Sequence, residues 1–516
     1  MIASTRGGLD LLRSNWKQVS AMLFLGFSSG LPLLLIFSTL SLWLREAGVE
    51  RGAVTYFSWA ALGYSFKFVW APLVDKLPIP ALTKLLGQRR SWLLLAQFSV
   101  ITAIILMASS DPATQSGLSV MAFAAVLLGF SSASQDIVID AYRIEVVEKD
   151  VQALMASTYV AGYRIGMLVA GAVALYIAAG LGTTKEVYIY SAWKWTYLSM
   201  AAFMGIGVLT TLLVREPVAR GESSYFHHVS DYLRFVLLFI IFVGTFIGSF
   251  LLLSDLVVGL KAALAGAEGQ HKALAGFAGE TLRLAVSLGA ALGAAWLVVV
   301  IGVARREMVR DTYIAPVADF FHRYGKAALL ILLLVGFYRV SDIVLGVISN
   351  VFYQDMGFSK QQIATVTKVF GIWMTILGGF LGGFLTLKFG VMRMLMLGAV
   401  LTVVTNLLFI LLAQAPGNLP LLYVVIGADN LTAGLASAAF IAYLSSLTSL
   451  SFTAIQYAIF SSLMTLFPKL LGGYSGQIVD AIGYQQFFLG ASLIGVPVFL
   501  LVWLANRHTE VEQANE

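Results

Sequence analysis

The feature that most constrains this chain is a succession of apolar runs, each near the length of about 20 residues that a helix needs to cross a hydrocarbon layer. They fall near 20–42, 53–75, 91–109, 117–142, 152–180 and 190–214, then near 235–259 and 282–303, and finally near 327–351, 361–388, 391–413, 419–447, 452–480 and 484–506. In lipid the backbone must satisfy its own hydrogen bonds, which a helix does within one run. The expected fold is all-α and integral to a membrane, with fourteen transmembrane helices. Composition agrees, since only 12% of the residues are charged and 59% are hydrophobic, whereas soluble domains are about a quarter charged.

Charge outside the runs sets an orientation. Arg6, Arg13, Lys17, Arg89, Arg90, Arg143, Arg215, Arg305, Arg306, Arg310, Lys388 and Arg393 fall in alternate loops, and the intervening loops hold only Arg45, Arg51, Lys185, Lys194, Lys261, Lys272, Arg283 and Lys360. Basic residues mark cytoplasmic loops, so both termini are expected in the cytoplasm. The net charge of +6 is explained by this pattern and requires no nucleic acid. Residues 1–19 lack the apolar core and small-residue cleavage site of a signal peptide. The absence of cysteine removes disulfides and thiolate chemistry, and the five histidines all lie in or beside loops, so neither metal nor cofactor is expected.

The runs group as six, two and six. Three regions are expected: an N-terminal bundle over 1–218, a linker over 219–325 carrying two additional helices at about 235–259 and 282–303, and a C-terminal bundle over 326–516. The bundles repeat each other. After the second run of the first stands Pro72-Leu-Val-Asp75-Lys76, then Gly87-Gln-Arg89-Arg90; after the second run of the last stands Gly382-Gly383, then Lys388-Phe-Gly390-Val-Met-Arg393. This paired layout resembles the signature loop of the major facilitator superfamily, and implies two six-helix bundles working by alternating access.

Ionisable residues inside the runs are expensive, by about 2.5–3.5 kcal/mol each at the centre of an inserted helix, and therefore mark function or pairing. Counting about 1.5 Å per residue from the run ends places Lys67, Arg164, Arg339, Asp342, Lys368 and Asp429 near mid-depth, Asp136 in the inner third, and Asp75, Asp140 and Arg143 near the cytoplasmic surface. Asp75, Arg89, Arg90, Asp140 and Arg143 read as a gate clamping the inner helix ends, with a proton site at Asp140 as the alternative. At mid-depth the acids and bases could simply pair. Against that, bases outnumber acids, which favours an anionic cargo. The candidate cargo residues are Lys67, Gln135, Arg164, Arg339, Lys368, Asn430 and Gln456, and the candidate proton carriers are Asp136, Asp342 and Asp429. The glycines at 162, 166, 171, 371, 378, 379, 382 and 383 read as close helix contacts. No nucleotide-binding Gly-Lys-Ser/Thr motif occurs.

Five local motifs follow in order in the first bundle: Leu25-Gly-Phe-Ser-Ser-Gly-Leu-Pro32, Phe66-Lys-Phe-Val-Trp-Ala-Pro-Leu-Val-Asp75, Gly87-Gln-Arg-Arg-Ser-Trp92, Ser132-Ala-Ser-Gln-Asp-Ile-Val-Ile-Asp140 and Gly162-Tyr-Arg-Ile-Gly166. Together with Tyr338-Arg-Val-Ser-Asp342, Thr367-Lys368 and Ser451-Phe-Thr-Ala-Ile-Gln456, they make the chain similar to the muropeptide permeases of the AmpG type. The resemblance implies proton symport of anhydromuropeptides (GlcNAc-1,6-anhydroMurNAc with or without peptide) from periplasm to cytoplasm across the bacterial inner membrane. It implies a role in peptidoglycan recycling and in β-lactamase induction, with cargo, protons and lipid as partners and a monomer as the assembly. The inserted pair at 235–259 and 282–303 departs from relatives that carry extra apolar length at the C-terminal end, and is expected to pack at the periphery. The alternative within transport is a proton-coupled carrier of another amphipathic anion, such as an acyl-CoA, a siderophore or a peptide. Outside transport, a membrane enzyme would need a catalytic cluster at an interface, and the sequence offers none.

Overall fold

The computed structural model describes residues 8–49, 64, 66–184, 187–217, 229–253, 270–472 and 475–515, and every regular element among them is a helix. The first bundle contains α1 (Gly8–Ile36), α2 (Ser38–Glu46), α3 (Ala71–Lys76), α4 (Gln88–Ala108), α5 (Gln115–Glu145), α6 (Gln152–Leu168), α7 (Ala174–Gly180) and α8 (Tyr190–Leu213). Between the bundles lie α9 (Val229–Leu252), α10 (Gln270–Val300) and the short α11 (Ala315–Tyr324). The last bundle contains α12 (Ala327–Phe337), α13 (Val340–Asp355), α14 (Gly371–Phe389), α15 (Val391–Gln414), α16 (Leu419–Leu447), α17 (Thr453–Gly472) and α18 (Ser475–Asn515). We call the side at which α1 begins and α5 ends the near face, and the opposite side the far face.

Twelve helices among the described residues are long and apolar enough to cross a membrane. The two other expected runs are 53–75, most of which lies outside the described residues, and 452–480, where the described apolar helix is Thr453–Leu466. Local chemistry sets several boundaries. Thr114 caps α5 by accepting the Gly117 amide at 3.1 Å, and Asn418 caps α16 by accepting the Leu421 amide at 3.1 Å. The internal repeat is visible in the backbone itself. Gly87 before α4 (φ 89°, ψ 171°) and Gly390 before α15 (φ 86°, ψ 159°) hold nearly the same conformation, one that only glycine adopts without strain.

Glycine also decides which helices touch most closely. A Cβ on Gly26 or Gly30 of α1 would strike the carbonyls of Tyr159 and Tyr163 on α6, and one on Gly162 or Gly166 of α6 would strike those of Leu23 and Phe27. In the second bundle Gly378 and Gly382 of α14 meet the backbone of Leu431 and Leu435 on α16 in the same way. The bundles meet along two seams. At one, Gly383 of α14 lies against Ser157 and Ala153 of α6. At the other, Ala454, Ile455 and Ala458 of α17 enter an apolar core built by α3, α5 and α6.

The inserted helices α9 and α10 pack against each other and are the least buried of the spans. They sit at the periphery, over the seam formed by α3 and α17.

Candidate functional site

On α5 the residues Ser132, Asp136, Asp140 and Arg143 recur at helical spacing and share one face. Each has a different environment. Asp136 accepts a short hydrogen bond from the Ser29 hydroxyl of α1, and Ser29 in turn accepts one from the Tyr159 hydroxyl at 3.1 Å. No cation is bonded to it among the described residues. One turn nearer the near face, Asp140 lies between Lys67 and Arg143, each at 3.5 Å. Arg143, wholly buried, donates to Ser445 of α16 at 2.7 Å and to Gln152 at 3.3 Å, and its guanidinium sits 5.1 Å from the centre of the Tyr457 ring of α17. The α5 face therefore changes along its length from a carboxyl among hydroxyls to a charge cluster that reaches the other bundle.

The second bundle contributes an irregular helix. Arg339 stands at the break between α12 and α13 with non-helical backbone (φ −102°, ψ 3°). Its guanidinium bonds Asp342 through two nitrogens, one of them at 3.0 Å, and Ser437 at 2.8 Å. Nearby, Asn430 accepts from Thr375 at 2.9 Å and donates to the Ile426 carbonyl at 3.0 Å. Asp429, the preceding residue, has no hydrogen bond or ion pair among the described residues, yet lies within electrostatic reach of Arg339 and Asp342. Lys368 is held on a π-helical segment, Ala364–Phe370, a distortion that often accompanies functional sites. Arg164 of α6 lies within electrostatic reach of Lys368, Arg339 and Asp342. Neither Arg164 nor Lys368 is ion-paired or hydrogen-bonded through its side chain among the described residues, and neither is sealed from solvent. Two cations, one from each bundle, thus lie within electrostatic reach of each other with no ion pair to either among the described residues.

At the near face the charges are paired. Arg89 binds Asp75 at 2.7 Å and Glu145 at 2.6 Å, and Thr453 of α17 donates to Glu145 at 2.5 Å. Asp75 also accepts the amides of Ala454 and Ile455, at 3.2 and 3.0 Å, so a first-bundle carboxylate caps the start of α17. Arg90 does something else. It donates to the carbonyls of Thr211 and Leu212 at 3.0 and 2.7 Å, and Glu216 accepts the amides of Arg89 and Arg90 at 2.7 and 3.0 Å. Each charge caps the helix end opposite in sign to itself, tying α4 to α8 within one bundle. Burial pushes the Glu216 carboxyl above its ordinary range, and those two amides oppose the shift.

Asp136, Arg164, Arg339, Asp342, Lys368, Asp429 and Asn430 fall in the deeper region, while Asp75, Arg89, Asp140 and Arg143 fall in the paired network that joins the bundles. Lys67, expected among the cargo residues, is buried and ion-paired to Asp140. Gln135 is fully buried inside the first bundle, pointing to Ser28 at 3.5 Å, because adjacent helix positions lie about 100° apart and Asp136 takes the face shared with Asp140 and Arg143. Gln456 sits in the first turn of α17 at the near face, bonded to Asp319, Arg323 and the Pro316 carbonyl. Arg90 does not cross between bundles. Sequence reasoning missed Glu145, Glu216, Thr453, Ser445 and Tyr457, which lie at helix ends or are uncharged. The near-face position of Glu145, two residues after Arg143, was the available signal.

Residues 329–516 match the family model described as Major Facilitator Superfamily, and residues 18–219 match one described as Acetyl-coenzyme A transporter 1. The structure superposes on that of the proton:xylose symporter XylE with a TM-score of 0.59 at 12% identity, covering 95% of this chain and 94% of that one. The chain belongs to the major facilitator superfamily. Its length-wide likeness is to AmpG-type permeases. It is 28% identical to a Rickettsia felis protein carrying the transporter name AmpG 4, over 94% of this chain and 96% of the relative. It is likewise 28% identical to the anhydromuropeptide permease of Escherichia coli K12, over 96% of this chain and 81% of the relative. An uncharacterized protein of Haemophilus influenzae is 30% identical, with 94% of each covered. The protein is thus a multi-pass membrane transporter, not an enzyme.

Proposed function

We propose that this protein imports anhydromuropeptides, GlcNAc-1,6-anhydroMurNAc with or without peptide, from periplasm to cytoplasm by proton-coupled alternating access across the bacterial inner membrane. The observation that carries the reading is that Arg164 and Lys368, from opposite bundles, lie within electrostatic reach of each other with no ion pair to either among the described residues. A cargo carboxylate supplies the counter-ion, and Arg339 and Asn430 offer donors to acetamido and peptide groups. The anhydromuropeptide permease of E. coli, similar over nearly the whole chain, supports the choice of cargo.

The proton carrier in this reading is one of Asp136, Asp429 and Asp342. Among the described residues Asp136 and Asp429 have no cation bonded to them, so neutralisation by a proton costs neither an ion pair; Asp342 would have to release Arg339. One charge crossing about 100 mV releases about 2.3 kcal/mol, enough for roughly fifty-fold accumulation. The near face is the cytoplasmic one, in keeping with its basic loops, and Asp75, Arg89, Asp140 and Arg143 close it. The bundles over 1–218 and 326–516 rock as units, the 219–325 linker with its inserted pair lies between them, and the working unit is a monomer.

The test is uptake of labelled anhydromuropeptide into proteoliposomes, with and without an imposed pH gradient. Accumulation that needs the gradient is expected, and gradient-independent equilibration would refute coupling. The match of residues 18–219 to an acetyl-coenzyme A transporter model favours a second reading, an acyl-CoA or similar amphipathic anion as cargo. Competition by acetyl-CoA, but not by the disaccharide, would select it.

A further inference from the structure

The inserted pair touches both bundles. On the first-bundle side, Phe235 and Leu238 of α9 pack with Leu73 and Leu77, and Phe246 lies against Phe66 with ring centres 5.0 Å apart. On the other, α10 runs along α9 and reaches α17 and α18. The chain then turns at Gly302 and follows the near face through residues 305–324.

That near-face segment is anchored at each end to a different bundle. Tyr313 lies 5.9 Å from the Phe235 ring and donates its hydroxyl to the Val69 carbonyl of the first bundle at 3.3 Å. A few residues later, α11 is fixed to the second. Gln456 of α17 donates to the Pro316 carbonyl at 2.7 Å and to Asp319 at 2.8 Å, while its carbonyl accepts from Arg323 at 2.9 Å and from the Ser449 amide at 2.7 Å. Arg323 also donates to the Leu447 carbonyl at 3.1 Å, and Phe320 packs on Phe460. Gln456 thus uses both donors and both acceptor positions. It does so at the very start of α17, which Asp75 caps from the other bundle.

We propose that the segment from Tyr313 to Tyr324, backed by α9 and α10, is a strap across the α3–α17 seam that biases the near face shut, and that Gln456 is the positioning residue fastening it to α17. The inference rests on the transport reading, in which α17 swings away from α3 and α5. During that swing α11 keeps its bonds to α17 only by following it, and Tyr313 keeps its bond to Val69 only by staying. Opening therefore breaks one anchor or deforms the π-helical turn Arg310–Ile314 that contains Tyr313. The strap touches no cargo group, so it governs how often the near face opens and not how tightly cargo binds.

The chain has no cysteine, so spin labels can be placed at Lys149→Cys and Lys388→Cys, exposed near-face positions on opposite bundles, in the full-length protein. The inter-label distance is then measured by pulsed electron resonance with and without anhydromuropeptide. Gln456→Ala should raise the near-face-open population roughly tenfold, the scale of one lost hydrogen bond to a charged group. Asp319 and Arg323, which pair with each other at 2.9 Å, leave no stranded charge when Gln456 is removed. Tyr313→Phe, which removes one hydroxyl and spares the packing, should move the population the same way by less, with cargo affinity unchanged in both. If the wild type switches distance with cargo while both variants match it, the strap is wrong and the transport reading stands. A wild-type distance that never changes overturns both. Loss of cargo affinity in step with the shift would return Gln456 to the cargo site and also end the proposal.

Discussion

Arg89 and Arg164 are both buried or half-buried arginines of the first bundle, and the structure treats them in opposite ways. Arg89 at the near face is bonded by Asp75 and Glu145, and Asp75 continues into the amides of α17. Arg164, about 18 Å along α6 from its start by helical rise, lies within electrostatic reach of Lys368, with no acid bonded to either among the described residues. A buried ion pair contributes little net stability, but breaking it is costly because a charge is stranded. An unpaired cation in a place water can reach is instead ready to exchange its hydration for a ligand. In the transport reading proposed above, the near-face network is a holding device and the deeper one a receiving device.

The comparison can be broken most forcefully at Arg89. Arg89→Ala strands Asp75 and Glu145, and should weaken near-face closure by about 3–5 kcal/mol; the read-out is the distance between labels at positions 149 and 388, which should lengthen without cargo. Next in size is Asp136→Asn. It should remove the roughly fifty-fold proton-driven accumulation allowed by about 100 mV while leaving counterflow exchange of cargo intact, and accumulation at the wild-type level would rule Asp136 out. Arg164→Gln and Lys368→Gln should each weaken binding of an anionic muropeptide about tenfold, the scale of a hydrogen bond to a charged group, and leave an amidated analogue nearly unaffected. Isothermal titration of both ligands decides this, and equal losses would show that the two cations serve packing. The smallest effect belongs to Arg90→Lys, which keeps the charge at the end of α8 and forfeits the paired carbonyl bonds. A loss of about 0.3–1 kcal/mol in thermal stability is expected, with transport preserved. A transport defect there would extend the gate beyond the residues that cross between bundles.

Much of the frame was readable from sequence because membrane spans announce themselves by length and apolarity, and the loop repeat surfaces again as the shared backbone of Gly87 and Gly390. Which side of a helix a residue occupies was harder to read. Gln135 and Asp136 share a depth, yet they point to different hydroxyls of α1, Ser28 and Ser29, and only Asp136 shares the α5 face of Asp140 and Arg143, which reaches the other bundle. Depth counting set Lys67 apart from Asp140, although they pair at 3.5 Å, because pairing depends on how helices are rotated and not only on how far along them a residue lies. Gln456 looked like a cargo amide by residue type. Its partners Asp319 and Arg323 come from a segment about 130 residues away in sequence, a relation that no local pattern discloses.

The glycine contacts between α1 and α6 have a reach beyond packing. Ser29, which holds Asp136, belongs to α1, and Arg164 belongs to α6; where Gly26, Gly30, Gly162 and Gly166 meet the opposing backbone, the two helices have no compressible side chains between them. They form one solid piece. Gly30 meets Tyr163, so Ser29 and Arg164 stand on neighbouring turns of that piece; in the transport reading proposed above, a hydrogen ion at Asp136 and a sugar-peptide at Arg164 push on the same object, and each senses the other mechanically without any relay of intervening residues.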